Sequence, residues 1–211
     1  MKLYGYYRST SSYRVRIALA LKGLDYEYVP VNLLRAEHKE PAFVSKNPQG
    51  RVPLLVDNGQ EIIQSPAIIE FLEERYPEVS LLSDDAELRA RQRGVAALIA
   101  CDIHPLHNVA VLNRLREMGH EEEAIKNWIA HWISQGLAAV EEMIGDESFC
   151  FGQLPSLADV YLNPQLYAAE RFGVSLEPYP RIRRVQTFAA ATHAFWIAHP
   201  DQQPDHPSKI L

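Results

Sequence analysis

Lys2-Leu3-Tyr4-Gly5-Tyr6-Tyr7-Arg8-Ser9-Thr10-Ser11-Ser12-Tyr13-Arg14-Val15-Arg16-Ile17-Ala18-Leu19-Ala20-Leu21 holds a strand, a loop and a helix in one unbroken run. The aromatic opening from Lys2 to Tyr7 predicts a short strand, and Val15, Ile17, Ala18, Leu19 and Leu21 recur at helical spacing between Ser12 and Leu21, before Gly23. Four consecutive hydroxyl residues, Ser9 to Ser12, separate the two. Downstream, Tyr26 to Val31 predicts a second strand, and Val52 to Val56 with Glu61 to Ile63 predicts a pair joined by a tight turn at Asn58-Gly59. Ser65-Pro66 opens a helix through Tyr76, with Ser65 as cap and Pro66 in the first turn, where its missing N–H costs little. The order β-α-β, linker, β-β-α predicts a small mixed sheet flanked by helices.

From Pro77 to Asp85 the composition turns to Pro, Ser and Asp, as an inter-domain linker would. Beyond it, Ala86 to Leu115, Glu121 to Ile144, Ser156 to Phe172 and Pro180 to Ala198 each show amphipathic helical periodicity. The fold class is therefore α/β plus all-α: an N-terminal domain over 1–80 and a helical bundle over 86–211. The proline-rich polar tail after Pro200 is expected to lie over the surface without packing strongly. Of 211 residues, 21 are Lys or Arg and 27 Asp or Glu, so no excess of positive charge invites nucleic acid. Cys101 and Cys150 are too few for a disulfide framework and lack the paired spacing of a zinc site, so both are expected as reduced, buried small residues, and no metal-ligand cluster stands out. Arg8 interrupts the N-terminus before a signal-like run develops, and no apolar stretch reaches the roughly 18 residues of a membrane span. A cytoplasmic protein without membrane contact is expected.

Three elements could carry chemistry. The hydroxyl loop at a helix start could hold an anion, because unpaired N–H groups and a partial positive charge gather there; simple capping explains the same residues. In Asn47-Pro48-Gln49-Gly50-Arg51-Val52-Pro53, a cis Val52-Pro53 bond would turn the Val52 backbone toward an extended peptide, whereas a trans proline would merely enter a strand. Gln64-Ser65 begins a second helix suited to a carboxylate, and it too can be read as a cap. In the helical half, Pro105 should bend its helix and bring His104 and Asn108, one turn apart, to one side. Ser156-Leu157-Ala158-Asp159 has the form of a capping box, a structural feature.

Together with the motif from Tyr7 to Leu19, the stretches Asn47 to Pro53, Gln64 to Glu70, Asp102 to Leu106, Ser156 to Asp159 and Asp201 to Asp205 resemble the zeta-class glutathione transferases over nearly the whole chain. The resemblance implies a thioredoxin-like N-terminal domain, a helical C-terminal domain, glutathione as cofactor and a homodimer. It also implies a cis Val52-Pro53 bond, with Val52 pairing to the cysteinyl backbone of glutathione. By the same likeness, Gln64 and Ser65 take the γ-glutamyl end and His38 the glycyl end. Ser9, Thr10 and Ser11 become the catalytic donors to the sulfur, and Asp102, His104 and Asn108 belong to the cofactor side. Arg8, His104, Asn108 and Arg171 are the implied substrate contacts.

The implied reaction is cis–trans isomerisation of an unsaturated dicarboxylic keto acid, 4-maleylacetoacetate to 4-fumarylacetoacetate, in tyrosine and phenylalanine breakdown. Many zeta enzymes place a cysteine where Ser11 stands, so the reactive thiol here must be that of glutathione. Arginines follow the asparagine in similar enzymes acting on maleylpyruvate, where this chain has Val109 and Ala110. Maleylpyruvate isomerisation, glutathione conjugation of small electrophilic acids and a glutathione-binding module without turnover are the alternatives.

Overall fold

The computed structural model describes residues 1–209. Two compact units emerge, Met1–Ser80 with Ala191–Leu211, and Leu81–Ala190. These limits differ from the expected 1–80 and 86–211, because the last segment joins the N-terminal unit; residues 210 and 211 lie outside the described part.

In the first unit, β1 (Lys2–Gly5), β2 (Glu27–Pro30), β3 (Leu54–Asp57) and β4 (Gln60–Ile63) form a mixed sheet in the order β2-β1-β3-β4. β1 and β2 run parallel across the crossover helix α1 (Thr10–Leu21), while β3 is antiparallel to β1 and β4. Asn58 and Gly59 make the β3–β4 turn with φ of 47° and 80°, the left-handed pair that a two-residue hairpin loop of this hand requires. A short α2 (Pro41–Val44), α3 (Ser65–Arg75) and α9 (His193–Ala198) complete the unit.

Helix α1 is buried on nearly every side, and its two arginines share that burial: Arg14 is 2% and Arg16 0% exposed. A guanidinium out of water must be hydrogen-bonded. Arg16 donates from Nε to the Ala198 carbonyl at 2.9 Å and from Nη2 to the Tyr7 carbonyl at 3.0 Å. The tail corrects its expected looseness. Gln203 is buried with Nε2 donating to the Ile197 and His199 carbonyls, and Asp205 Oδ2 accepts from the Tyr7 N–H at 2.8 Å. A polar segment can pack when each polar group finds a partner.

The second unit contains α4 (Ala86–Ala97), α5 (Val109–Glu117), α6 (Glu122–Met143), α7 (Leu157–Arg171) and α8 (Pro180–Ala190). The single helix expected over 86–115 is interrupted, not merely bent. A π-helical turn over Leu98–Ile103 passes into a 3-10 turn over His104–His107, and Asn108 is extended at φ −65° and ψ 142°. Pro105 has no N–H and its ring collides with the carbonyl four residues back, a clash that a wider turn relieves. Likewise Pro180 to Ala198 divides into α8 and α9 at Ala191-Thr192, where the chain leaves one unit for the other.

By length and composition alone the run Ala86–Glu117 would qualify as a membrane span, contrary to the expectation that none exists. Its apolar residues Val95, Ile99 and Ile103 are instead buried in the helical unit, where the run meets α6 and α7. Gly136 on α6 faces the π turn so closely that a Cβ would overlap the Ile103 side chain. Ile103 is buried, so its side chain must be displaced within a packed interior, and Gly136→Ala should destabilise the fold by about 1–3 kcal/mol despite the better helix propensity of alanine. Thermal denaturation checks this, and an unchanged or raised Tm would contradict the close packing.

Candidate functional site

The hydroxyl loop begins with a turn closed by Ser9 N–H donating to the Tyr6 carbonyl at 2.9 Å. Ser9, not Ser12, is the cap of α1: its Oγ accepts from the Ser12 N–H at 3.2 Å, so the helix starts two residues earlier than Ser12. Ser9, Thr10 and Ser11 thus stand at the cap and the first two helical positions, gathered on one helix start with no acidic residue in the first turn. Ser9 and Ser11 are half-buried, whereas Thr10 and Ser12 are buried. Backbone N–H groups and the helix dipole favour negative charge at such a place. Burial, reinforced by Tyr7, pushes the Tyr6 phenol up to about 12, so it stays protonated near neutrality. Arg8 adjoins the loop, half-buried.

The Val52-Pro53 bond is cis, as expected, and lies immediately before β3. Asn47 organises the preceding loop: its Nδ2 donates to the Arg51 carbonyl at 2.6 Å and its Oδ1 accepts from the Gln49 N–H at 3.0 Å. Gly50, at φ 57°, lets that loop approach the His38 carbonyl, which a Cβ would meet at 2.9 Å. His38 is half-buried in a 3-10 turn, and burial followed by the neighbouring Lys39 holds its pKa below the usual imidazole value. It is therefore neutral at physiological pH, available as a hydrogen-bonding group rather than a cation.

At α3 the cap is Gln64 rather than Ser65, which is the first helical residue. Gln64 holds a positive φ of 72°, a strained backbone for a residue with a side chain, and its Nε2 donates to Gln49 Oε1 at 2.6 Å. Such strain persists where the surroundings enforce it, often at ligand sites. Ser65 is buried, with Oγ accepting from Arg14 Nη1 at 3.5 Å, and the first turn of α3 also lacks acidic residues. The first unit thus presents two acid-free helix starts and a loop ordered by Asn47, separated anchors that suit a flexible tripeptide with carboxylates at its ends.

In the second unit, the interruption of the helix places Asp102 in the π turn, exposed, and His104 in the 3-10 turn. Asn108 is not one helical turn beyond His104. It caps α5, its Oδ1 accepting from the Ala110 N–H at 3.1 Å. The His104 ring instead meets His107, centroids 5.3 Å apart, and His107 meets Phe172 at 5.6 Å. Arg171 extends this row, its guanidinium 4.7 Å from the Phe172 ring centroid and 6.0 Å from that of Tyr167. Glu170, the acid beside it, accepts instead from Gln186 at 2.6 Å.

Sequence reasoning missed the support of this row: His107 is buried and its Nε2 pairs with the buried Gln165 side chain. It missed Arg16 and Asp205 as well. The available signal for Arg16 was two arginines in a helix with no polar face. The capping box is present: Asp159 accepts from Ser156 N and Oγ at 2.8 Å each, and from Cys150 N at 2.9 Å. Burial, then Asp159, pushes the Cys150 thiol well up, leaving it inert, whereas Cys101, expected to be buried, is exposed on the π turn. Among the described residues no group of three His, Cys, Asp or Glu could hold a metal ion.

The profile of the glutathione S-transferase N-terminal domain matches residues 1–74. A maleylacetoacetate isomerase of Pseudomonas aeruginosa is 68% identical over 99% of this chain and 100% of its own. The holo structure of a maleylpyruvate isomerase, described as a bacterial glutathione S-transferase of the zeta class, is 48% identical with a TM-score of 0.94, covering 97% of this chain and 99% of the other. A maleylacetoacetate isomerase from Anaeromyxobacter dehalogenans, with glutathione bound in its active site, is 46% identical with a TM-score of 0.89, over 98% and 97% of the two chains.

Proposed function

The chain belongs to the zeta class of the glutathione S-transferases, and we propose that it is the glutathione-dependent isomerase converting 4-maleylacetoacetate to 4-fumarylacetoacetate. The observation that carries this reading is the start of α1: three hydroxyls on one acid-free helix end. When bound, glutathione supplies the sulfur nucleophile that adds reversibly to the alkene, lets the carbon–carbon bond turn, and is returned unchanged.

This chain contributes position and charge. Ser9, Thr10 and Ser11 donate toward the sulfur and favour its ionised form, since hydrogen bonds to a charged group lower its pKa. Val52, Gln64, Ser65 and His38 hold the tripeptide, and Asp102, His104 and Asn108 complete the cofactor side. Arg171 and Arg8 take the substrate carboxylates, because guanidinium forks match them and never lose their charge. His104 and Asn108 donate to the carbonyl oxygen as negative charge develops there. The substrate assignment is supported by the 68% identity and by Val109, 64% exposed at the start of α5, where a second arginine would suit the shorter keto acid. A cytoplasmic homodimer serving tyrosine and phenylalanine catabolism completes the reading.

The test follows both reactants. With maleylacetoacetate, substrate loss should require glutathione while its concentration stays constant. Stoichiometric depletion would mean a conjugating transferase, faster turnover of maleylpyruvate would transfer the assignment to that acid, and no turnover would leave a binding module.

A further inference from the structure

Tyr7 joins β1 to the hydroxyl loop, and both of its backbone polar groups are fixed by residues outside that loop. Its N–H donates to Asp205 Oδ2 at 2.8 Å, and its carbonyl accepts from Arg16 Nη2 at 3.0 Å. Tyr28 on β2 directs its hydroxyl to the same Asp205 oxygen at 3.4 Å. That ring fits because residue 5 is glycine: a Cβ there would lie 2.9 Å from Tyr28 Cε2. Arg16 also grips the Ala198 carbonyl, so α9 and the tail after it are tied to the point where the loop begins. His206 adds its ring against Tyr7, centroids 5.1 Å apart. A buried backbone N–H needs an acceptor, and this one is supplied from 198 residues away.

We propose that Asp205 is a positioning residue for the isomerase reaction: the C-terminal segment, through Asp205 on Tyr7, sets the hydroxyl loop in the orientation that favours the sulfur anion. This rests on the reading of Ser9, Thr10 and Ser11 as donors to that sulfur. The charged and titratable groups around the carboxylate are Arg16 on α1, Tyr28 on β2, Tyr6 and Tyr7 ahead of the hydroxyls, and the adjoining His206, whose ring lies against Tyr7. Position and charge have opposite signs here. Removing a negative charge near the sulfur would by itself favour the anion, whereas loosening its donors disfavours it.

A series at this position separates the two. Asp205→Ala removes the acceptor; Asp205→Asn keeps an oxygen for the Tyr7 N–H while removing the charge. In Asp205→Ala, the thiol of bound glutathione, titrated by its ultraviolet thiolate absorbance, should move up by about one pH unit, with kcat below that pKa down about tenfold. Glutathione affinity by calorimetry should stay within about threefold, and Asp205→Asn should restore both titration and turnover to within about threefold of the parent. Should Asp205→Ala fail to fold, Tyr28→Phe removes one donor from the same oxygen and should shift the titration in the same direction, by a smaller amount. Equal effects of Asn and Ala, or a downward or absent shift, would overturn the proposal. If Ser9, Thr10 and Ser11 can all become alanine with turnover intact, the donor reading itself fails; if that triple variant is inactive and Asp205→Ala titrates normally, only the positioning role fails.

Discussion

Alanine at Ser9, Thr10 and Ser11 together should lower kcat by about 100- to 1,000-fold with glutathione still bound, the usual consequence of removing preorganised donors from developing or resident negative charge. Each hydrogen bond to a charged group contributes about 1.5–3 kcal/mol, so two lost donors suffice for that range. The three hydroxyls do not have equal structural duties. Ser9 Oγ accepts from the Ser12 N–H and so caps α1, a function that alanine removes at a cost of about 1 kcal/mol. Glycine retains most of the capping preference without the hydroxyl, so Ser9→Gly separates catalysis from folding. Thr10 is 6% exposed, while Ser11 is half-buried and carries no cap, so Ser11→Ala is the cleanest single probe. Turnover within a few-fold of the parent in the triple variant, with glutathione affinity unchanged, would remove the hydroxyl loop from the chemistry.

The first unit was legible because its signals are local. Short β-branched and apolar runs and a turn dipeptide set β3 and β4, and Asn58-Gly59 makes the turn the dipeptide demands. Helix ends were less legible. Ser65 looked like a cap, but Gln64 occupies that place at a positive φ, a conformation no propensity scale assigns to glutamine. The break in the helix after Ala97 was visible as Pro105, yet its form was not, since a π turn depends on what packs against it. Spacing set His104 one helical turn from Asn108, whereas the 3-10 turn brings its ring beside His107 and leaves Asn108 to cap α5. Arg16 and Asp205 escaped for a different reason. Their partners lie 182 and 198 residues away, and nothing in a local window records a contact of that range.

Replacing Arg171 with alanine should raise the KM for the keto-acid substrate and lower kcat/KM by about 30- to 100-fold, while the KM for glutathione stays the same. A guanidinium–carboxylate contact contributes about 2–3 kcal/mol where its donors are aligned in advance. That alignment is built into the end of α7: the Arg171 guanidinium lies 4.7 Å from the Phe172 centroid, and an aromatic face holds such a cation flat. Lysine keeps the charge but not the fork, so Arg171→Lys should recover only part of the loss. Phe172→Leu, which preserves apolar bulk and removes the π face, should weaken substrate binding by a smaller factor without touching the arginine. The fold itself is little at risk, because Arg171 is exposed and its interaction with the helix end amounts to about 0.3–1 kcal/mol. A large fall in kcat/KM with an almost unchanged Tm therefore reports on the substrate carboxylate, and an unaltered KM and kcat in Arg171→Ala would assign that carboxylate to Arg8 or to another donor.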